Sequence, residues 1–171
     1  MNRFAIALLA LTLAACDGPA AGPAAASRSF AEADRAAILE ALRLTANAEG
    51  RVVNECGDLT TPEFLPAELG GSVGTAILFA IGGGPSMAAC YGDGPDLHLF
   101  MRAGAGWREI YSARGRYLII LSTSTSDVRD IADGGPGFSF PVWTWNGTTY
   151  APANREISDA ELSSMNATYL P

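Results

Sequence analysis

The chain has 171 residues, enough for one domain once a leader is set aside. Its formal net charge is −7, so it repels phosphate backbones, and nucleic acid is excluded as a partner. Every basic residue is arginine and none is lysine, which excludes a P-loop lysine and lysine Schiff-base chemistry.

Residues 1–15 read as a cleavable signal. Arg3 supplies a positive start, and Phe4 to Ala14 form an apolar run inside the roughly 7–15 residues of a signal core. That run is too short for a spanning helix, which needs about 20 residues. It ends in Leu13-Ala14-Ala15-Cys16, which resembles the lipobox of bacterial lipoproteins. The resemblance implies diacylglyceryl transfer to Cys16, cleavage before it, acylation of the new amine, and a membrane held through that anchor. Asp17 resembles an inner-membrane retention signal in some lineages, so inner and outer membrane both stay open. Residues 16–28 are the lipidated cysteine and a Pro/Gly/Ala tether of about 30 Å if extended.

Residues 29–171 read as a single globular domain. Ser29 to about Leu44 carries apolar residues at helical spacing, and Ser29 with Glu32 resembles a capping box. Strand patterns follow at 51–56, 64–69, 75–81, 96–102, 107–112, 117–121, 138–145 and 148–150. The short links Ala103-Gly104-Ala105 and Arg114-Gly115 predict a meander of three consecutive strands. Asn146-Gly147 predicts a tight hairpin, because both turn residues need positive φ. Pro141 marks an edge or bulge. Ser158 to about Met165 predicts a closing helix, with Ser158 and Glu161 as its capping box. The predicted class is α+β: an N-terminal helix, an antiparallel blade-like sheet made of a meander plus a hairpin, and a short C-terminal helix.

With Cys16 lipidated, Cys56 and Cys90 form an even remainder, which in an oxidising compartment reads as one disulfide. Two buried thiols are the alternative. A metal site fits poorly, since there is no C-x-x-C pair and His98 is the sole histidine.

Cys90-Tyr91-Gly92 and the segment Asp130-Ile131-Ala132-Asp133-Gly134-Gly135-Pro136-Gly137-Phe138-Ser139-Phe140-Pro141-Val142-Trp143-Thr144-Trp145-Asn146-Gly147-Thr148-Thr149-Tyr150 resemble exported bacterial proteins with FG-GAP-like or VCBS-like domains. The likeness spans roughly 30–151 and is specific in its last third. It implies a small blade-like sheet and no assigned activity. Where that family places an aspartate-rich loop, this chain has Glu68-Leu69-Gly70-Gly71-Ser72-Val73-Gly74, too poor in carboxylates to supply the six to eight oxygens of calcium, so the cation is not carried over.

Several constellations carry chemistry on paper. Asp127, Asp130 and Asp133 recur every three residues and form a candidate cation site, particularly if Asp93 and Asp96 lie close; aspartates also favour turns on their own account. These carboxylates, or Glu109, are candidates for general acid/base work. His98 alternates with Leu97 and Leu99, which places it on the surface side of a strand. Ser86 lacks the G-x-S-x-G elbow of a hydrolase. Gly82-Gly83-Gly84 lacks a P-loop and reads as a strand terminator. Trp143 and Trp145 are either core or a recognition surface for an envelope protein or glycan. No cofactor is expected. The leading expectation is a membrane-anchored, non-enzymatic binding module on the periplasmic or extracellular face of a bacterial membrane. An envelope hydrolase or carbohydrate-active enzyme using carboxylates, and a purely structural lipoprotein, stand as alternatives.

Overall fold

A computed structural model describes residues 30–92 and 94–171. The signal, Cys16, the tether, Ser29 and Asp93 lie outside the described residues. The described chain is mostly antiparallel β-sheet with three short helices, an α+β architecture.

Helix α1 (Glu32–Ala41) begins two residues after Phe30. Its start differs from the expected Ser29 cap: Ala31 holds the N-cap position, and the Asp34 carboxylate accepts the Ala31 backbone N–H at 3.1 Å. A two-strand ribbon follows, β1 (Val52–Val53) with β2 (Leu59–Thr60). A four-stranded sheet is built from β3 (Glu63–Gly70), β4 (Gly74–Ile81), β5 (Asp96–Ala103) and β6 (Gly106–Arg114) in that order. The single-turn helix α2 (Met87–Cys90) sits between β4 and β5. A second sheet runs β10-β9-β8-β7-β11, from β7 (Tyr117–Thr125), β8 (Val128–Gly134), β9 (Ser139–Trp145), β10 (Tyr150–Ser158) and β11 (Thr168–Leu170). Helix α3 (Asp159–Ser164) connects β10 to β11. Its Ser158 hydroxyl accepts the Glu161 N–H while the Glu161 carboxylate accepts the Ser158 N–H, the expected capping box.

The side-chain alternation of the strands explains the layers. In β4, Ala76, Leu78 and Ala80 join the core between the two sheets, while Ile77, Phe79 and Ile81 pack beneath α1 with Ile38. The run 75–81 is therefore apolar on both sides because both sides are covered. In β7, Leu118 and Ile120 face the inter-sheet core; Ile119 and Leu121 pack with Leu162 of α3. The order of layers is α1, four-stranded sheet, five-stranded sheet, α3, with three apolar cores between them.

This arrangement corrects the expected single blade. The meander does not continue past β6: β5 and β6 pair in one sheet, whereas β7 pairs with β8 and β11 in the other. Arg114-Gly115-Arg116 is a crossover between sheets, tied by Gly115 N–H to Pro95 O and Arg116 N–H to Gly134 O. A side chain at Gly94 would collide with Gly115 O, and one at Gly115 would stand 3.2 Å from Gly134 O. Glycine at these positions lets the ends of the two sheets meet backbone to backbone.

Candidate binding cleft

The expected cation site at Asp127, Asp130 and Asp133 does not assemble. Ser126 and Asp127 both have positive φ and form the two-residue turn between β7 and β8. Asp130 and Asp133 lie three residues apart on β8, so they point to opposite faces of the sheet. Asp130 is buried, and its two oxygens accept the hydroxyls of Thr123 and Thr125 at 2.7 and 2.8 Å. Arg155 stands 3.9 Å from the same carboxylate. Asp96 belongs elsewhere, paired with Arg114 at 2.8 Å beside Glu55.

Asp133 faces the inter-sheet core. One oxygen accepts the Trp143 indole N–H at 2.9 Å; the other is buried without a partner. Burial pushes its pKa up to about 6, and the Trp143 hydrogen bond only partly opposes this. A carboxyl whose folded pKa is raised stabilises the fold below its unfolded value, and that contribution is lost as pH rises through the folded one. The window here runs from about pH 4 to pH 6. Replacing Asp133 by asparagine keeps an acceptor for Trp143 and removes the charge. After discounting for solvent screening, Asp133→Asn should gain about 1–2 kcal/mol at pH 7.5 and nothing at pH 4. Urea titrations at the two pH values check this; an equal difference at both would show that ionisation is not the cause.

The two candidate tryptophans separate. Trp145 is only 4% exposed and belongs to the inter-sheet core, edge-on to Tyr150 at 5.7 Å. Trp143 is half-buried against the same core, edge-on to Tyr111 at 5.3 Å. Pro141 does not divert them: Phe140 and Val142 face α3, while Trp143 and Trp145 pack against the inter-sheet core and Ser139 and Pro141 stay exposed.

His98 and Glu109 meet on the outer face of the four-stranded sheet, Nδ1 to Oε1 at 2.6 Å, with Ser112 opposite His98 in register. No hydrogen bond joins Ser112 to the ring among the described residues, and the pair, with the His98 ring edge-on to buried Phe79 at 5.9 Å, lies outside the cleft described below. Ser86 instead caps the approach to α2, its N–H and hydroxyl held by Asp58 at 2.8 and 3.3 Å. The nucleophile and base of a hydrolase are therefore not brought together at these residues.

Cys56 and Cys90 form a disulfide, with Cα atoms 6.1 Å apart. They also sit beside Glu55, but with both sulfurs bonded to each other the trio has no thiolate to offer a metal. The bond fixes the β1–β2 turn to the end of α2. Asp58 to Ser86 and Asn54 Nδ2 to Gly83 O, at 3.3 Å, add to that tie.

These ties build one wall of a cleft of about 550 Å³. Gly82–Gly84, Met87 and Pro95 line one side, Leu59–Thr61 and Glu63 another, and Arg116, Tyr117 and Pro171 close it. Arg116 forms no salt bridge among the described residues and lies 6.0 Å from the Tyr117 ring centre. The cleft was not legible in the sequence, where its residues are scattered from 59 to 171. Glu63 is its one carboxylate side chain, which leaves the paired carboxyl groups of a glycosidase without a second member there.

Among the described residues, the exposed large hydrophobic side chains gather at this end. They are Val53, Leu59, Tyr117, Phe138 and Tyr169. Val53 and Leu59 are cross-strand partners. Leu59 and Tyr117 share the cleft, and Tyr117 meets Tyr169 at 6.3 Å. Phe138, 84% exposed, tips the loop that leaves β8 at Gly134, the residue paired with Tyr117. The opposite end of the sandwich carries the turns at 70–74, 103–106, 125–128 and 145–150 and holds none of these five. No family model, no curated protein and no solved structure matches this chain.

Proposed function

We propose that the chain is a bacterial envelope lipoprotein, held to its membrane through Cys16, whose folded domain is a non-enzymatic binding module. The single observation that carries the binding role is the exposed apolar set at one end, where Leu59 and Tyr117 line a cleft, Val53 lies across from Leu59 and Tyr169 meets Tyr117. Isolated apolar residues are ordinary on a protein surface; a contiguous set at one end is a place for contact. The address is supported by Leu13-Ala14-Ala15-Cys16 after a short apolar run, and by a disulfide between the two remaining cysteines, which suits an oxidising compartment. A periplasmic or outward-facing position then exposes the cleft to other envelope components.

The anchor is tested directly. Cys16→Ser should abolish incorporation of labelled fatty acid and move the protein from the membrane pellet to the soluble fraction, since each buried CH2 of an acyl chain contributes about 0.8 kcal/mol. Retention of the serine variant in the pellet, or an unmodified Cys16 in the mass spectrum of the native protein, would remove the lipoprotein reading. The binding role is tested by a photoreactive side chain at position 169, in cells, against the same group at Ser72 in the opposite end. Cross-links confined to position 169 are expected; none at either position would sink it.

A further inference from the structure

The apolar end of the sandwich also carries an open sheet edge. β11 closes the five-stranded sheet by pairing with β7 alone, Tyr169 opposite Ile119, and its other side pairs with nothing among the described residues. Its last residue precedes Pro171, which lines the cleft, so the free edge and the cleft adjoin. We propose that an extended polypeptide segment of another envelope protein adds to the free edge of β11, its apolar side chains set against Leu59, Tyr117 and Tyr169 and a carboxylate set against Arg116. This rests on the binding-module reading and names the partner of that same cleft.

Three features select a polypeptide over other occupants. An open edge offers backbone N–H and C=O groups, which a strand satisfies and a lipid or sugar does not satisfy in ladder form. The Tyr117 and Tyr169 rings stand at 86° to one another, so they give no flat platform for stacking a sugar, and no other aromatic side chain lines the cleft. A chain of net charge −7 is repelled by an anionic bilayer, and the single unpaired arginine in the cleft does not reverse that. Arg116, without a carboxylate of its own, complements one acidic group on the partner.

The test pans a phage-displayed random 12-residue peptide library on the full-length protein in detergent, with the Leu59→Glu/Tyr169→Glu variant as counter-target. Both residues are exposed, and retention of the wild-type thermal midpoint verifies that the variant is folded. Selected peptides should alternate apolar residues and carry an Asp or Glu. They should bind at least tenfold more weakly to the double variant, bind Ser72→Glu like wild type, and lose at least tenfold when alternate amides are N-methylated. Arg116→Gln should remove the preference for the acidic residue. Equal binding of N-methylated peptides, or no enrichment over the counter-target, overturns the strand pairing. Sedimentation of Cys16→Ser protein with phosphatidylglycerol vesicles that the double variant abolishes would assign the face to lipid and overturn it as well. The cross-linking at position 169 separates the two readings. A cross-linked partner with failed peptides leaves the module standing and removes only the strand, whereas no cross-link and no peptide removes both.

Discussion

Trp145→Ala is expected to lower the unfolding free energy by about 3–5 kcal/mol, the range for truncating a large buried aromatic. The ring is 4% exposed and sits where both sheets close on each other, with Tyr150 directly opposite it across the β9–β10 hairpin. Tyr150 in turn meets Tyr111, and Tyr111 meets Trp143, each edge to face. Alanine at 145 opens a space at the head of this series that neighbouring rings, fixed on paired strands, cannot fill. The thermal midpoint should fall by roughly 10 °C or more. Tyr169→Ala, at a half-exposed ring on the edge strand, should change stability by about 0.5 kcal/mol or less. A binding defect in Trp145→Ala therefore reports unfolding, and the exposed positions are the ones that report recognition. An unchanged urea midpoint for Trp145→Ala would mean that the ring does not hold the sheets together.

What could be read from the sequence follows the range of the interactions involved. The run 75–81 announces a strand because burial on both faces needs no knowledge of what covers it. Asn146-Gly147 is a local signal, and the Asn146 side chain accepts the N–H groups of Thr148 and Thr149 at 2.9 Å within the turn itself. The Ser158–Glu161 box is equally local. Strand β8 was hidden because its aspartates look like loop chemistry. Asp130 is tolerated in the sheet only because Thr123 and Thr125 supply hydroxyls from the neighbouring strand, where a register shift between Ile120 and Ser124 brings them into place. Gly115 could not reveal whether it turns a hairpin or changes sheets, since loop length is the same and the deciding contacts are with Gly94 and Gly134. β11 has three residues, too few for any period to show. The cleft is the extreme case. Val53 and Leu59 meet across a local ribbon, but Tyr117 and Tyr169 come together only through the pairing of β7 with β11, and the ribbon reaches them only across the cleft.

Removing the disulfide, as Cys56→Ser/Cys90→Ser, is expected to cost about 4 kcal/mol, because the bond closes a loop of 34 residues in the unfolded chain. The native consequences should be uneven. Among the described residues of the link from β4 to β5, 82–92 and 94–95, only the four residues of α2 are regular structure. Without the bond they are held by the Asp58 carboxylate on Ser86, the Asn54 amide on Gly83 O, Arg114 on Cys90 O at 3.3 Å, and buried Tyr91 beneath the Arg114 guanidinium at 5.1 Å. Two of these side chains come from the β1–β2 ribbon, which the same disulfide secures. Amide exchange should therefore accelerate first at 82–92, ahead of the sandwich strands, as expected of a locally opening unit. The same segment walls the cleft, so a ligand that fills it should bind more weakly to the serine variant than global stability alone requires. Exchange that rises evenly over β4, β7 and 82–92 would place the bond's effect wholly in the unfolded chain. An unchanged denaturation midpoint after reduction would show that the cross-link does not hold the folded domain at all.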